Sequence, residues 1–212
     1  MRTGIGAVLL SAAAVLAAGP GTASPVVAAT TTWTVHPGGA VTATAGKTTL
    51  TDTKTGTTVS CESSGLSGTL KSGAGLPGAG IGTITAAAFR CSTPIGSARL
   101  SPRGLPWHLN LSSFNRGTQT SRGTISHVQL AFSILDVSPS CSAVVSGTSG
   151  TAADGTVTIT YSDQGARLKL RPAGGDLHWY HAQHCLGLIG NGDPAAFSAV
   201  YAVSPAQTVT SP

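Results

Sequence analysis

The chain has 212 residues, of which only 9% are charged, with 12 Lys and Arg against 7 Asp and Glu. Hydrophobic residues make up 41%, which excludes an intrinsically disordered chain, since disorder goes with low hydrophobicity and high net charge. Leu, Glu, Lys and Arg are scarce beside abundant Thr, Val and Gly (28 glycines), a composition that disfavours helix and favours strands joined by turns.

Read from the N-terminus, Met1-Arg2 is a short basic start and Ile5 to Ala18 an apolar run of Ala, Val and Leu. That run is too short to span a bilayer, which takes about 20 residues. Val26-Val27-Ala28 and Val27-Ala28-Ala29 fit a signal-peptidase site. Residues 1–28 therefore read as a secretory signal peptide and 29–212 as a single β-rich domain, released outside the cell. There is no twin arginine, no cysteine before Cys61 to carry a lipid, and no second apolar span. No transmembrane anchor is expected.

Thr31 to His36 alternates polar and apolar residues and reads as the first strand. Val41 to Ala45 and Thr48 to Thr51 follow, split by Gly46. The Thr53 to Gly56 turn leads into Thr57 to Glu62, and Gly65 to Leu70 reads as a separate short strand. Ser72 to Gly80 (SGAGLPGAG) is glycine-rich, lacks the Gly-Lys-Ser/Thr ending of a phosphate loop, and is expected to be a flexible loop. Further strands are expected over Gly82 to Cys91, Pro106 to Phe114, Thr124 to Leu135 (the longest), Ser142 to Ser146, Thr156 to Ser162 and Ala166 to Arg171. A turn over Pro172 to Gly175 precedes Asp176 to Val203, which reads as two strands around a loop holding the turn dipeptide Asn191-Gly192. About ten short strands with regular turns give an all-β antiparallel sandwich or barrel.

The four cysteines, Cys61, Cys91, Cys141 and Cys185, form an even set in an exported chain and imply two disulfides. Of the three connectivities, Cys61–Cys91 with Cys141–Cys185 is favoured, because sequential closure keeps each bridge within one half of the chain. No C-x-x-C spacing points to a structural metal.

The runs AVTATAGKTTLTDTKTGTTVSC and CLGLIGNGDPAAFSAVYAVSPAQTVTSP resemble a group of secreted Gly/Thr/Ser-rich β-domain proteins of actinomycete-type bacteria. The resemblance covers most of the exported part. It implies secretion and a β fold, and carries over no activity and no catalytic residue.

Four groups of residues are candidates for chemistry. His178, His181 and His184 form H-x-x-H-x-x-H and would bind Zn²⁺ or Cu²⁺ if the chain bends to bring them together; on a regular strand His178 and His181 face opposite sides. Trp107, Trp179 and Tyr180 are candidates for a sugar-stacking platform, against the alternative that the tryptophans anchor the core. No acid occurs between Glu62 and Asp136, an interval that holds Arg99, Arg103, Arg116 and Arg122. With Arg2 removed from the formal +5, the exported domain keeps +4, and these arginines are candidates for holding an anionic envelope polysaccharide or other polyanion. The fourth group is acidic: a glycosidase needs two carboxylates, and Asp176 with Asp193 is the least implausible pair. No G-x-S-x-G elbow is present. No recognised nucleic-acid module occurs and nucleic acid is not an expected partner; no cofactor is expected. The reading is a secreted, non-catalytic binding or structural domain at or near the cell envelope, whose ligand is a polysaccharide, a polyanion or a small apolar molecule. The alternatives are a metal-binding protein and a secreted hydrolase.

Overall fold

The computed structural model describes residues 31–171 and 175–212. The expected signal peptide and most of the expected turn over Pro172 to Gly175 lie outside the described residues. Within them the chain is built of strands: β1 (Thr32–His36), β2 (Gly39–Ala45), β3 (Thr48–Asp52), β4 (Thr58–Leu70), β5 (Gly73–Pro77), β6 (Gly82–Thr93), β7 (Gly96–Arg103) and β8 (Trp107–Asn115). They continue as β9 (Thr120–Ile134), β10 (Cys141–Ser146), β11 (Gly155–Ser162), β12 (Arg167–Leu170), β13 (His178–Gln183), β14 (Ala195–Ser204) and β15 (Thr208–Thr210).

Of the two architectures expected, the barrel is the one formed. An eight-stranded antiparallel ring runs β2–β4–β6–β8–β9–β11–β12–β14 and returns to β2. The remaining strands of the same sheet lengthen it. β3 continues the line of β2 along β4 and β14, and β7 continues β8 along β6 and β9. β10 continues β11 along β9, and β13 continues β12 along β10. At the lengthened end β13 meets the start of β14 through three backbone bonds: Trp179 N–H to Asp193 O, Gly192 N–H to Trp179 O, and Ala195 N–H to Leu177 O. Eight lines of chain thus run the length of the barrel. Four of them, β4, β6, β9 and β14, are unbroken.

The alternation read from the sequence becomes an inside and an outside. Val128, Leu130, Phe132 and Ile134 of β9 are buried, as are Trp107 and Leu111 of β8 and Phe197, Ala199 and Tyr201 of β14. Thr48, Ser64 and Tyr201 form a buried polar knot between these walls: the Thr48 and Ser64 hydroxyls are 2.6 Å apart, and Ser64 Oγ donates to Tyr201 Oη at 3.0 Å. Burial raises the Tyr201 phenol above its ordinary pKa, so it stays neutral.

Where the sheet bends most, two glycines are required. A Cβ on Gly68 would lie 1.9 Å from Thr83 O, and one on Gly123 would lie 1.9 Å from Asn110 O. Both sit at register shifts, between Ser67 and Gly68 on β4 and opposite the Leu111/Ser113 shift on β8. Bulges of this kind let a barrel wall turn.

A second sheet, β15–β1–β5, closes one end. Trp33, Val35 and Val209 point inward from it. It is fastened by Gln207, whose Oε1 accepts from Gly38 N–H and whose carbonyl accepts from the Tyr161 hydroxyl.

Two expectations are corrected here, and two strands were not anticipated. The strands expected over 57–62 and 65–70 are one strand, β4, because a bulge at Glu62-Ser63 exposes two successive residues and interrupts the alternation. The glycine-rich loop expected over 72–80 contains β5, which needs only its backbone to pair with β1. β7 was hidden by Pro94 and Pro102, yet Ala98 and Leu100 alternate inward. The polar C-terminus contains β15, anchored by the single apolar residue Val209.

Both favoured disulfides are formed, Cys61–Cys91 across β4 and β6 and Cys141–Cys185 from β10 to the loop after β13. They close separations of 30 and 44 residues, and chain entropy alone assigns them about 3.6 and about 4 kcal/mol. Cys61→Ala with Cys91→Ala is expected to lower the unfolding free energy by about that amount in a denaturant titration. Gly123→Ala is expected to cost about 1–3 kcal/mol through overpacking, and Tyr201→Phe about 1–3 kcal/mol by leaving Ser64 short of a partner. Gly165, in an open turn, is a control site for the glycine variant only where its positive φ is preserved, so Gly165→Asn is the control.

Candidate functional site: the uncapped end of the barrel

The end opposite the β15–β1–β5 cap is formed by the β3–β4 turn, the β6–β7 turn, the C-terminal end of β9 and the long connection from β13 to β14. These segments enclose a cleft of about 520 Å³, within the range of small-molecule sites. Phe132, Ile134, Leu188 and Ile189 give it apolar surface; Thr57, Thr58, Ser60, Ser92 and Thr93 give it hydroxyl and backbone groups. Among the described residues, no charged side chain lines it.

Four large hydrophobic residues are exposed on the described surface, and three of them surround this end. They are Ile95 in the β6–β7 turn, Leu135 just after β9, and Leu186 in the β13–β14 connection, which is 83% exposed. The fourth, Val200, is on the outer wall of β14. Exposed apolar side chains are thus gathered at one end of the barrel.

The β13–β14 connection is held as a fixed wall. Cys185 is bonded to Cys141. The Thr55 hydroxyl donates to Leu188 O at 2.7 Å, Ala182 N–H donates to Asn191 Oδ1 at 2.9 Å, and Lys54 Nζ lies 2.8 Å from Asp193 Oδ1. That bond raises the Lys54 pKa, but the lysine is exposed and such a pair adds little stability. Behind the cleft, Phe132 packs edge-to-face on Trp179 with centroids 5.4 Å apart. Asp52 Oδ2 and Trp179 Nε1, both buried near this end, have no hydrogen-bond partner among the described residues.

The capped end holds a second cavity of about 80 Å³, lined by Val35, Ile81, Ile159, Tyr161, Leu168 and Val209 among others. It is too small for a drug-sized ligand.

The candidate residues fall out as follows. His178, on the outer face of β13, has Nδ1 2.8 Å from Asp176 O. His181 sits in a bulge with positive φ, against Gly150, and His184 is exposed in the following loop. The three do not converge, and among the described residues no group of three His, Cys, Asp or Glu side chains is placed to hold a metal ion. The bulge separates them, so H-x-x-H-x-x-H is not a ready-made metal centre. Trp107 and Trp179 are 4% and 1% exposed and belong to the core, so they cannot stack on a sugar. Tyr180 is half-buried, its hydroxyl donating to Gly147 O at 2.9 Å. Arg99 and Arg103 lie on the outer wall of β7, Arg122 on that of β9 beyond β8, and Arg116 in the turn at the capped end. Spread along the barrel, they form no single patch. The cleft residues Ile95 and Leu188, and the exposed Leu135 and Leu186 at the same end, were missed. The signal available was large apolar residues inside turn-rich segments, Pro94-Ile95-Gly96 and Leu186-Gly187-Leu188-Ile189-Gly190.

Five of the six aspartates accept from backbone amides. Asp52 accepts from Lys54 and Thr55 N–H, Asp136 from Ser97 N–H, and Asp163 from Val209 N–H. Asp154 accepts from Gly147 and Thr148 N–H, and Asp176 from Thr156 N–H and its hydroxyl. Asp176 and Asp193 are thus engaged separately, one on Thr156 and one on Lys54, and do not form a carboxylate pair. Comparison of the chain with protein-family models, curated proteins and solved structures finds no match.

The Thr148 hydroxyl beside Asp154, with Ser146 Oγ and two amides, holds that carboxyl below its usual range; the Ser97 amide does the same for Asp136. Burial pushes Asp163 the other way. A lowered carboxyl gives stability that is complete above its unfolded value, about 4, and is lost as pH falls through its folded value. Asp154→Ala is therefore expected to lower the melting temperature at pH 7. Its melting temperature should also fall less than that of the parent protein between about pH 5 and about pH 3.

Proposed function

We propose that the protein is an exported, non-catalytic binding domain that takes up a small, uncharged, mainly apolar molecule at the uncapped end of its barrel. The observation that carries this reading is the cleft of about 520 Å³ with Phe132 and Ile134 against it and exposed Ile95, Leu135 and Leu186 around it. The hydroxyl-bearing residues of the β4 and β6 segments suit a ligand with a neutral polar group. The lack of a lining charge disfavours an ionic ligand, whose desolvation would go uncompensated. Export is supported by the signal-like N-terminus and by two disulfides, which persist in oxidising compartments; among the described residues no helix is long and apolar enough to cross a membrane. A non-catalytic role is supported by the engagement of the aspartates in the fold.

The test is displacement of the neutral dye Nile red by long-chain alcohols and monoacylglycerols. Ile95→Asp and Leu188→Asp place a charge at the rim and wall of the cleft on side chains outside the buried core. Each is expected to weaken dye binding by tenfold or more, about 1.4 kcal/mol, with the melting temperature little changed. Unchanged binding in both variants would remove the cleft as the site.

A further inference from the structure

Strand β12 carries a second feature, on the outer wall and away from the cleft. Arg167, Leu168, Lys169, Leu170 and Arg171 alternate in exposure, with the three cations outside and both leucines in the core. Successive side chains on one face of a strand are about 6.4–6.8 Å apart. Arg122 joins the same face: Lys169 pairs with Thr160 of β11, and Thr160 pairs with Arg122 of β9. The row Arg122–Thr160–Lys169 crosses three strands, so the two cations stand about 10 Å apart.

Among the described residues no acid forms an ion pair with these cations, and the one carboxylate on this face, Asp176, stands beyond Arg171 on the Thr156 hydroxyl. Among the described residues the ion pair found is Lys54–Asp193, at the uncapped end. The acid before β12, Asp163, accepts from Val209 N–H, and the acid beyond its end, Asp176, accepts from Thr156. The strands between the cations present hydroxyls, Thr160 and Ser162 of β11, and no carboxylate. A stripe on a rigid, closed sheet differs from scattered solubilising charge, because the backbone positions of its cations are fixed and their side chains leave the wall on one face.

We infer that this stripe is the docking surface for a linear polymer of phosphodiesters joined by short polyol units. The spacing along β12 matches the repeat of such a chain. Guanidinium groups pair bidentately with phosphate oxygens, and the Thr160 hydroxyl, between Lys169 and Arg122, is placed to donate to an intervening oxygen, whereas that of Ser162 is given to Gln164 O. The polymer lies along β12, and Arg122 sets its lateral position.

Binding of poly(glycerol phosphate) to the oxidised protein, measured by calorimetry, tests this. Four phosphate contacts lower the affinity roughly fiftyfold when salt rises fourfold, taking about 0.7 in log–log slope per contact. Arg167→Glu/Lys169→Glu/Arg171→Glu changes exposed side chains and is expected to abolish binding. Arg99→Glu/Arg103→Glu, on the β7 wall, should leave most of it; equal loss in both variants would show that net charge alone acts and would overturn the site. Equal affinity for polygalacturonate would overturn the assignment of phosphate. Binding to phosphatidylglycerol vesicles without binding to the soluble polymer would make the surface a membrane contact and overturn the proposal, as would no binding at low salt. Nile red uptake in the triple variant should match that of the parent, which separates this site from the cleft.

Discussion

The closed hydrogen-bond circuit of the large sheet is what the other features of the molecule depend on. A sheet with free edges invites pairing with other chains, and closure removes those edges. Closure here needs β11 to meet β9 on one side and β12 to meet β14 on the other. The four unbroken strands β4, β6, β9 and β14 carry this circuit along the barrel, and shorter strands fill the spaces between them in pairs. Gly68 and Gly123 mark where the walls come too close for any side chain.

A chain with so few large apolar residues holds such a barrel by other means as well. The two disulfides and the buried Thr48–Ser64–Tyr201 knot tie together strands distant in sequence. Five aspartates fasten turns and connections by accepting from backbone amides. This use of acids has a functional side. It commits their oxygens to the fold, and among the described residues no ion pair forms with the β12 cations. The ends are treated differently: one is sealed by a small sheet latched through Gln207, and the other is left with a cleft and an apolar rim.

Much of the fold was legible from alternation. Strands β8 and β9 were read to within a few residues, and the turn at Thr53 to Gly56 and the sequential disulfide pairing were read correctly. What failed were places where local pattern and pairing part company. β5 is a strand because β1 and the cap are there to receive it, and no property of Gly73 to Pro77 announces that. The Glu62-Ser63 bulge made one strand look like two. The site was less legible than the fold. Aromatic and histidine motifs drew attention in the Asp176 to Val203 stretch, but Trp179 is core and the histidines diverge around a bulge. The stretch still matters, because Leu188 and Ile189 from its loop build one wall of the cleft. The cleft depends on four connections brought together only by barrel register, and the β12 stripe depends on which face of a short strand is outside.

The most direct test of the central claim, that the uncapped end is the binding site, is an amide-resolved NMR titration of the folded protein with a monoacylglycerol. Shifts confined to residues 53–60, 92–97, 132–137 and 184–193 would be the predicted result. Shifts centred on β1, β5 and β15, or a spectrum that does not change at saturating ligand, would contradict it.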